Sequence, residues 1–236
     1  MRIRCVLLGL NDTLYDASMQ VYMARINAVR AMLEAGVPLD FESTFNALKS
    51  VVSEYGDNFD RHFDLTLQKL GVNKTDRVIA AAITAYHDTK FAFLKPFPET
   101  VPTLLALRDK KYSIGVVSYG KPVKEWEKLV RLGLQHLFHH VTVNDGDGLV
   151  LKNFHETLES LNVEAAETVF VGARIEKEIK TANEAEVVSV RIRKGEFRSE
   201  EPSTSNSIPR FEISKLSEIF SVIRQVEKKE AAEEDE

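Results

Sequence analysis

Three short stretches of this chain could do chemistry, and each stands where an apolar run stops. They are Gly9-Leu10-Asn11-Asp12-Thr13, Ser118-Tyr119-Gly120, and Gly172-Ala173-Arg174 continuing through Ile175, Glu176 and Lys177 to Glu178. If the runs are strands of an open α/β sheet, the three stretches lie beyond carboxyl ends, where helix N-termini aim free N–H groups that suit an anion. Gly9 has no side chain with which to attack or to hold a metal. Asn11 does not titrate near neutral pH and cannot shuttle a proton. Asp12 is a nucleophile by type, but neighbours on an extended segment point to opposite sides, so adjacency to Asn11 does not aim it at the same point. His139-His140 has no Cys or carboxylate at metal-ligand spacing and reads as alternation between core and solvent. His87-Asp88 falls on a helical stretch. A dinucleotide-binding reading of Gly9 fails for want of the further glycines.

The elements that must position these residues follow from periodicity. Val6 to Leu8 is an apolar run ending in turn residues, as a buried strand does. From Leu14 to about Gly36 the apolar residues recur at helical spacing, and three more helical stretches follow: Asp40 or Ser43 to Gly56, Phe59 to Leu70, and Thr75 to Leu94. Four helical stretches without a strand between them predict a helical bundle inserted after the first strand. Beyond Pro96 and Pro98, strands alternate with helices: strands over Tyr112 to Val117, Val141 to Val143, Thr168 to Val171 and Val187 to Ile192, helices over Glu99 to Lys110, Val123 to Leu132, Asn153 to Leu161 and Ile175 to Glu186. That alternation predicts an α/β fold, a doubly wound parallel sheet with helices on both faces. The domain reading is a core of 1–14 with 95–226, a cap of 15–94, and a charged, disordered tail of 227–236.

The frame of the first stretch resembles the opening motif of the haloacid dehalogenase superfamily, in which an apolar strand ends Asp-x-Asp-x-Thr. The second and third stretches fall where that superfamily has its second and fourth motifs. The segments 54–63, 85–91 and 122–129 resemble its archaeal four-helix-cap branch of glyceraldehyde-3-phosphate phosphatases. The resemblance implies a small phosphorylated metabolite, an aspartyl-phosphate intermediate and Mg2+. Carried over residue by residue it fails at Gly9 (nucleophile), Asn11 (general acid/base) and Ala173 (metal-binding carboxylate). It leaves Ser118 and Lys152 as phosphate-binding candidates and Glu178 as a weak metal candidate. Magnesium needs near-octahedral oxygen ligation, so no Mg2+ is expected unless the chain is an active phosphatase. Glu178, Lys152 and Arg174 leave the cleft neutral to positive, able to hold an anion without metal.

The totals agree with an ordinary globular chain: 236 residues, 44% hydrophobic and 28% charged. A net charge of −5 argues against a nucleic-acid partner held by bulk charge. No apolar run approaches a membrane span, and the one cysteine, Cys5, excludes an internal disulfide; a cytoplasmic protein is expected. The sequence predicts a protein that keeps the scaffold without turning over phosphate esters and acts by binding a protein partner or a phosphorylated metabolite. The alternative is an active small-molecule phosphatase using residues such as Asp12, Glu178 or His87.

Overall fold

The computed structural model describes residues 2–57 and 59–234. Six parallel strands form one sheet: β1 (Cys5–Leu8), β2 (Ser113–Tyr119), β3 (His140–Asn144), β4 (Thr168–Gly172), β5 (Val188–Ile192) and β6 (Phe211–Ile213), in the order β3-β2-β1-β4-β5-β6. The central strands show no polar alternation because both faces are covered. On one face Val6 and Leu8 pack with Ile114, Val116, Val169 and Val171. On the other, Cys5 and Leu7 pack with Val117, Phe154 and Phe170, the two Phe rings meeting edge to face at 5.1 Å. Burial pushes the Cys5 thiol up to about 12, so it is an inert core residue.

Register sets the site. Leu8 of β1 pairs with Val116 of β2 and with Val171 of β4, and the Gly9 N–H donates to the Val171 carbonyl at 2.8 Å. The residues just beyond these three strands therefore come level with one another. β1 is the hinge of the strand order: β2 and β3 lie to one side and β4 to β6 to the other. This is the switch point at which ligands bind in such sheets.

Helices that wrap the sheet are α5 (Thr100–Asp109), α6 (Pro122–Arg131), α7 (Leu151–Leu161), α8 (Lys180–Glu184) and α9 (Ile219–Glu234), after four in the inserted segment: α1 (Ala17–Glu34), α2 (Phe41–Tyr55), α3 (His62–Lys69) and α4 (Asp76–Phe93). The chain divides into two compact units, one of Met19–Phe93 and the other of the residues up to Ser18 with those from Leu94 on. The smaller unit has its own core of Ala28, Met32, Val37, Leu67, Val78 and Ala82. Asp40 caps α2 by accepting the Ser43 N–H at 2.8 Å.

Three elements differ from the sequence expectation. Helix α1 starts at Ala17 and not Leu14, because Asp12 turns the chain at φ +54°. The helix expected from Ile175 opens as a π turn, Ile175–Ile179, before α8. Helix α9 continues past Val226 to Glu234, where a disordered tail was expected; Glu, Lys and Ala are strong helix formers whatever their exposure. Asp235 and Glu236 lie outside the described residues. No described helix is long and apolar enough to cross a membrane.

Candidate functional site

At the tip of β1 the room that a side chain at position 9 would need is taken up by Thr13 and by another carboxylate. A Cβ at position 9 would lie 3.2 Å from Glu178 Oε1 and 3.2 Å from Thr13 Oγ1. Glu178 reaches this point because the π turn folds it back over β4. Its Oε2 accepts the backbone N–H groups of Ala173 at 2.8 Å and Arg174 at 2.9 Å, two donors that the helix start would leave unpaired. Its other oxygen, Oε1, is the one nearest position 9. Glu178 is 2% exposed, and burial raises its pKa to about 7 against the pull of those two N–H groups and of Arg174. Ala173 is buried and contributes no polar atom beyond its backbone.

On the β2 side the buried Ser118 hydroxyl donates to Glu125 Oε2 at 2.9 Å. Glu125 is in the first turn of α6, which Pro122 begins, and its other oxygen takes the Lys128 ammonium at 2.5 Å. Lys128, one turn further along α6, also donates to Asn11 Oδ1 at 3.0 Å, and the buried Tyr15 hydroxyl donates to the same oxygen at 2.8 Å. Asn11 is thus an acceptor between a cation and a phenol. Sequence reasoning missed Lys128 and Glu125. Their signal was present as an i,i+3 acid–base pair just after the Ser118 turn.

Lys152 is elsewhere. Its side chain is 79% exposed and its ammonium is 3.3 Å from Glu156 along α7, so the lysine that meets the first motif is Lys128 and not Lys152. Asp12 is buried, and both of its oxygens are engaged: Oδ1 accepts the Ser18 N–H and Oδ2 the Ser18 hydroxyl, each at 2.8 Å. Burial pushes its carboxyl up. It secures the start of α1 through these two bonds. His139 accepts the Ile114 N–H through Nδ1 at 2.9 Å, a structural role in the sheet layer.

Arg174 begins the π turn. Its guanidinium lies 4.1 Å from the centroid of Phe197 and 6.0 Å from that of Tyr119. Phe197 belongs to the loop after β5, which a second arginine anchors: Arg191, 0% exposed, donates to the Phe197 carbonyl at 2.9 Å and pairs with Glu212 at 3.2 Å. The same loop rests on Asp12 at Gly195, where a Cβ would come within 2.5 Å of Asp12 Cγ and the backbone has φ +67°. Gly195→Ala must strain the turn or displace Asp12. The expected result is a loss of roughly 1–3 kcal/mol, read as a lower urea midpoint at unchanged m.

The donor set does not suit Mg2+. Positions 9 and 173 offer no oxygen from a side chain, and one oxygen of Glu178 is committed to two N–H groups. Glu125 is committed to Ser118 and Lys128. Among the described residues, no group of three or more His, Cys, Asp or Glu is placed to hold a metal ion.

The family model for haloacid dehalogenase-like hydrolases matches residues 42–192. The chain belongs to this family. The matched range begins after the tip of β1, so it does not include Gly9 and Asn11. Across nearly its whole length this haloacid dehalogenase-like hydrolase is similar to "Glyceraldehyde 3-phosphate phosphatase" of Methanopyrus kandleri. The two are 44% identical over 231 residues, covering 96% of this chain and 99% of the relative. The protein of the same name from Methanocaldococcus jannaschii is 36% identical over 230 residues, with the same coverage. Among solved structures, a haloacid dehalogenase-like family hydrolase from Xanthomonas campestris superposes with TM-score 0.69 at 14% identity, covering 98% of this chain and 94% of that one. The YfnB protein of Bacillus subtilis, bound to magnesium, superposes with TM-score 0.67 at 18% identity, covering 94% and 99%. At these identities the two structures speak for the fold alone. The relatives correct the expectation of a protein without turnover. That expectation rested on the absent acids at Gly9, Asn11 and Ala173, whereas curated phosphatases match the chain from end to end.

Proposed function

We propose that this protein is a phosphatase-type hydrolase of small phosphorylated metabolites, of which glyceraldehyde 3-phosphate is the first to test. The observation that carries the reading is the 44% identity, over 96% of the chain, to a glyceraldehyde 3-phosphate phosphatase. A cytoplasmic setting is part of the reading, supported by a single buried thiol.

The chemistry open to the residues at the strand tips is direct attack by water, since no carboxylate projects from position 9 to be phosphorylated. Glu178, with a pKa of about 7, is divided between acid and carboxylate at neutral pH, the poise a general base needs. Its Oε1 takes a proton from water as the water oxygen bonds to phosphorus and the ester P–O bond breaks. The Lys128 ammonium gives a proton to the departing alkoxide, and Asn11 holds that ammonium in place through Oδ1. Charge on the phosphoryl oxygens is met by cationic side chains at the same tips. Mg2+ takes no step in this scheme.

The test is release of inorganic phosphate from glyceraldehyde 3-phosphate by the purified chain, corrected for spontaneous breakdown, with a panel of small sugar and triose phosphates beside it. Steady release proportional to protein concentration is expected. No release above blank from any of them, with and without Mg2+, overturns the reading.

A further inference from the structure

The Arg174 guanidinium has no close ion-pair partner among the described residues, although the carboxylates of Glu178, Asp12 and Glu196 act on it from further off. Among the described residues no carboxylate lies within ion-pair distance of it or accepts a hydrogen bond from its side chain; the polar group that its N–H donors approach is the Tyr119 hydroxyl. The other cations around the strand tips are engaged: Lys128 with Glu125, and Lys177 with Asp147. The Phe197 ring lies against the guanidinium carbon at 4.1 Å, and Phe197 is itself fixed by the buried Arg191 through its carbonyl. A planar cation held against a ring keeps its N–H fork free for a planar or tetrahedral oxyanion. Arg174 is only half-buried, so those donors can be reached. The Tyr119 hydroxyl nearby is buried and makes no well-formed hydrogen bond, although the guanidinium partly offsets the burial that pushes its pKa up. It is a second donor without an acceptor at the same place. Arg174 directly follows Ala173, the position where a metal-binding carboxylate is absent, and its charge is felt by Asp12, Tyr15, Tyr119 and Glu178.

We propose that Arg174, seated on Phe197 beside Tyr119, binds the phosphoryl group of the substrate and stands where a metal-dependent site would hold its dication, so that this protein binds phosphate without Mg2+. A phosphoryl dianion needs positive charge wherever it is held, and a site with carboxylates at positions 9 and 173 must import it. Removing those carboxylates and placing a guanidinium beside them reverses the need. This inference rests on the hydrolase reading for its substrate class but concerns binding, and it is tested by binding.

The full chain, stripped with EDTA, is titrated with inorganic phosphate by calorimetry, and the titration is repeated with excess Mg2+. Saturable binding in EDTA, changed less than about twofold by Mg2+, is expected. Arg174→Gln is expected to weaken it by about tenfold or more, Arg174→Lys to keep part of it, and Phe197→Leu to weaken it by loosening the seat. Circular dichroism and thermal midpoints establish that each variant is folded; where Arg174→Gln fails to fold, Phe197→Leu and the Mg2+ dependence of the unaltered protein decide. Binding that vanishes in EDTA and returns with Mg2+ overturns the proposal, as does unchanged affinity in folded Arg174→Gln. Phosphate binding without turnover would leave this site standing and remove the hydrolase reading. Turnover that requires Mg2+ would do the reverse.

Discussion

Glu178→Gln is expected to lower the rate of phosphate release by about 10²- to 10⁴-fold, the range a positioned general base contributes. The amide keeps the shape and can still accept the Ala173 and Arg174 N–H groups through its oxygen. It cannot take a proton from water. The same variant changes how stability depends on pH. The Glu178 pKa is raised in the folded protein from 4.5 to about 7, first by burial. Between those two values the folded state binds more protons than the unfolded one, so the stability associated with Glu178 is intact below about 4.5 and lost as pH rises through 7. The full excursion is on the order of 3 kcal/mol. Glu178→Gln has no charge to bury, and its unfolding free energy is expected to be nearly flat over that window at this site. Urea melts of both proteins at pH 5, 6, 7 and 8 read the difference. A rate within threefold of the unaltered protein would remove Glu178 from the chemistry.

Gly9→Asp, which puts an acid back at the tip of β1, is expected to harm the protein. Its Cβ would meet Glu178 Oε1 and Thr13 Oγ1 at 3.2 Å each, so a carboxylate would be added against one already buried. Two such groups in contact cannot both ionise cheaply. A loss of about 2–3 kcal/mol at pH 8, shrinking towards pH 5, is expected. Turnover should not rise, because Asn11 and Ala173 remain unchanged. Combining Gly9→Asp with Glu178→Gln should recover most of the stability at pH 8. A tenfold gain in Mg2+-dependent turnover from Gly9→Asp alone would show that Glu178 does not occupy the role argued for it.

The scaffold was readable because its signals are local. Continuous apolar runs at Val6 to Leu8 and Thr168 to Val171, with helices between them, require a parallel sheet covered on both faces, and that sheet is present. Where the runs stop was readable too, so the three strand ends were correctly grouped. What the sequence did not disclose was which side chains return to those ends. Lys128 and Glu125 sit on α6 in a pattern that exposed helices commonly carry, and only tertiary folding points them at Asn11 and Ser118. Lys152 misled because motif spacing places a residue along the chain without fixing its rotamer or its helix face. The inference from absent aspartates to absent function failed for a related reason. It weighed the residues at three positions above the rest of the chain, whereas the likeness to phosphatases runs over 96% of it.

The place of Glu178 beside the strand end depends on the winding of Ile175–Ile179, where the Ile179 N–H bonds to the Arg174 carbonyl five residues back. Such a turn accommodates one more residue than regular helical pitch would. The acid's location is therefore decided by the number of residues in the segment as well as by their kind. A lineage that shortened this segment by a single codon would rotate the acid by about 100° away from the strand end. It would do so with every side chain named in the site still encoded.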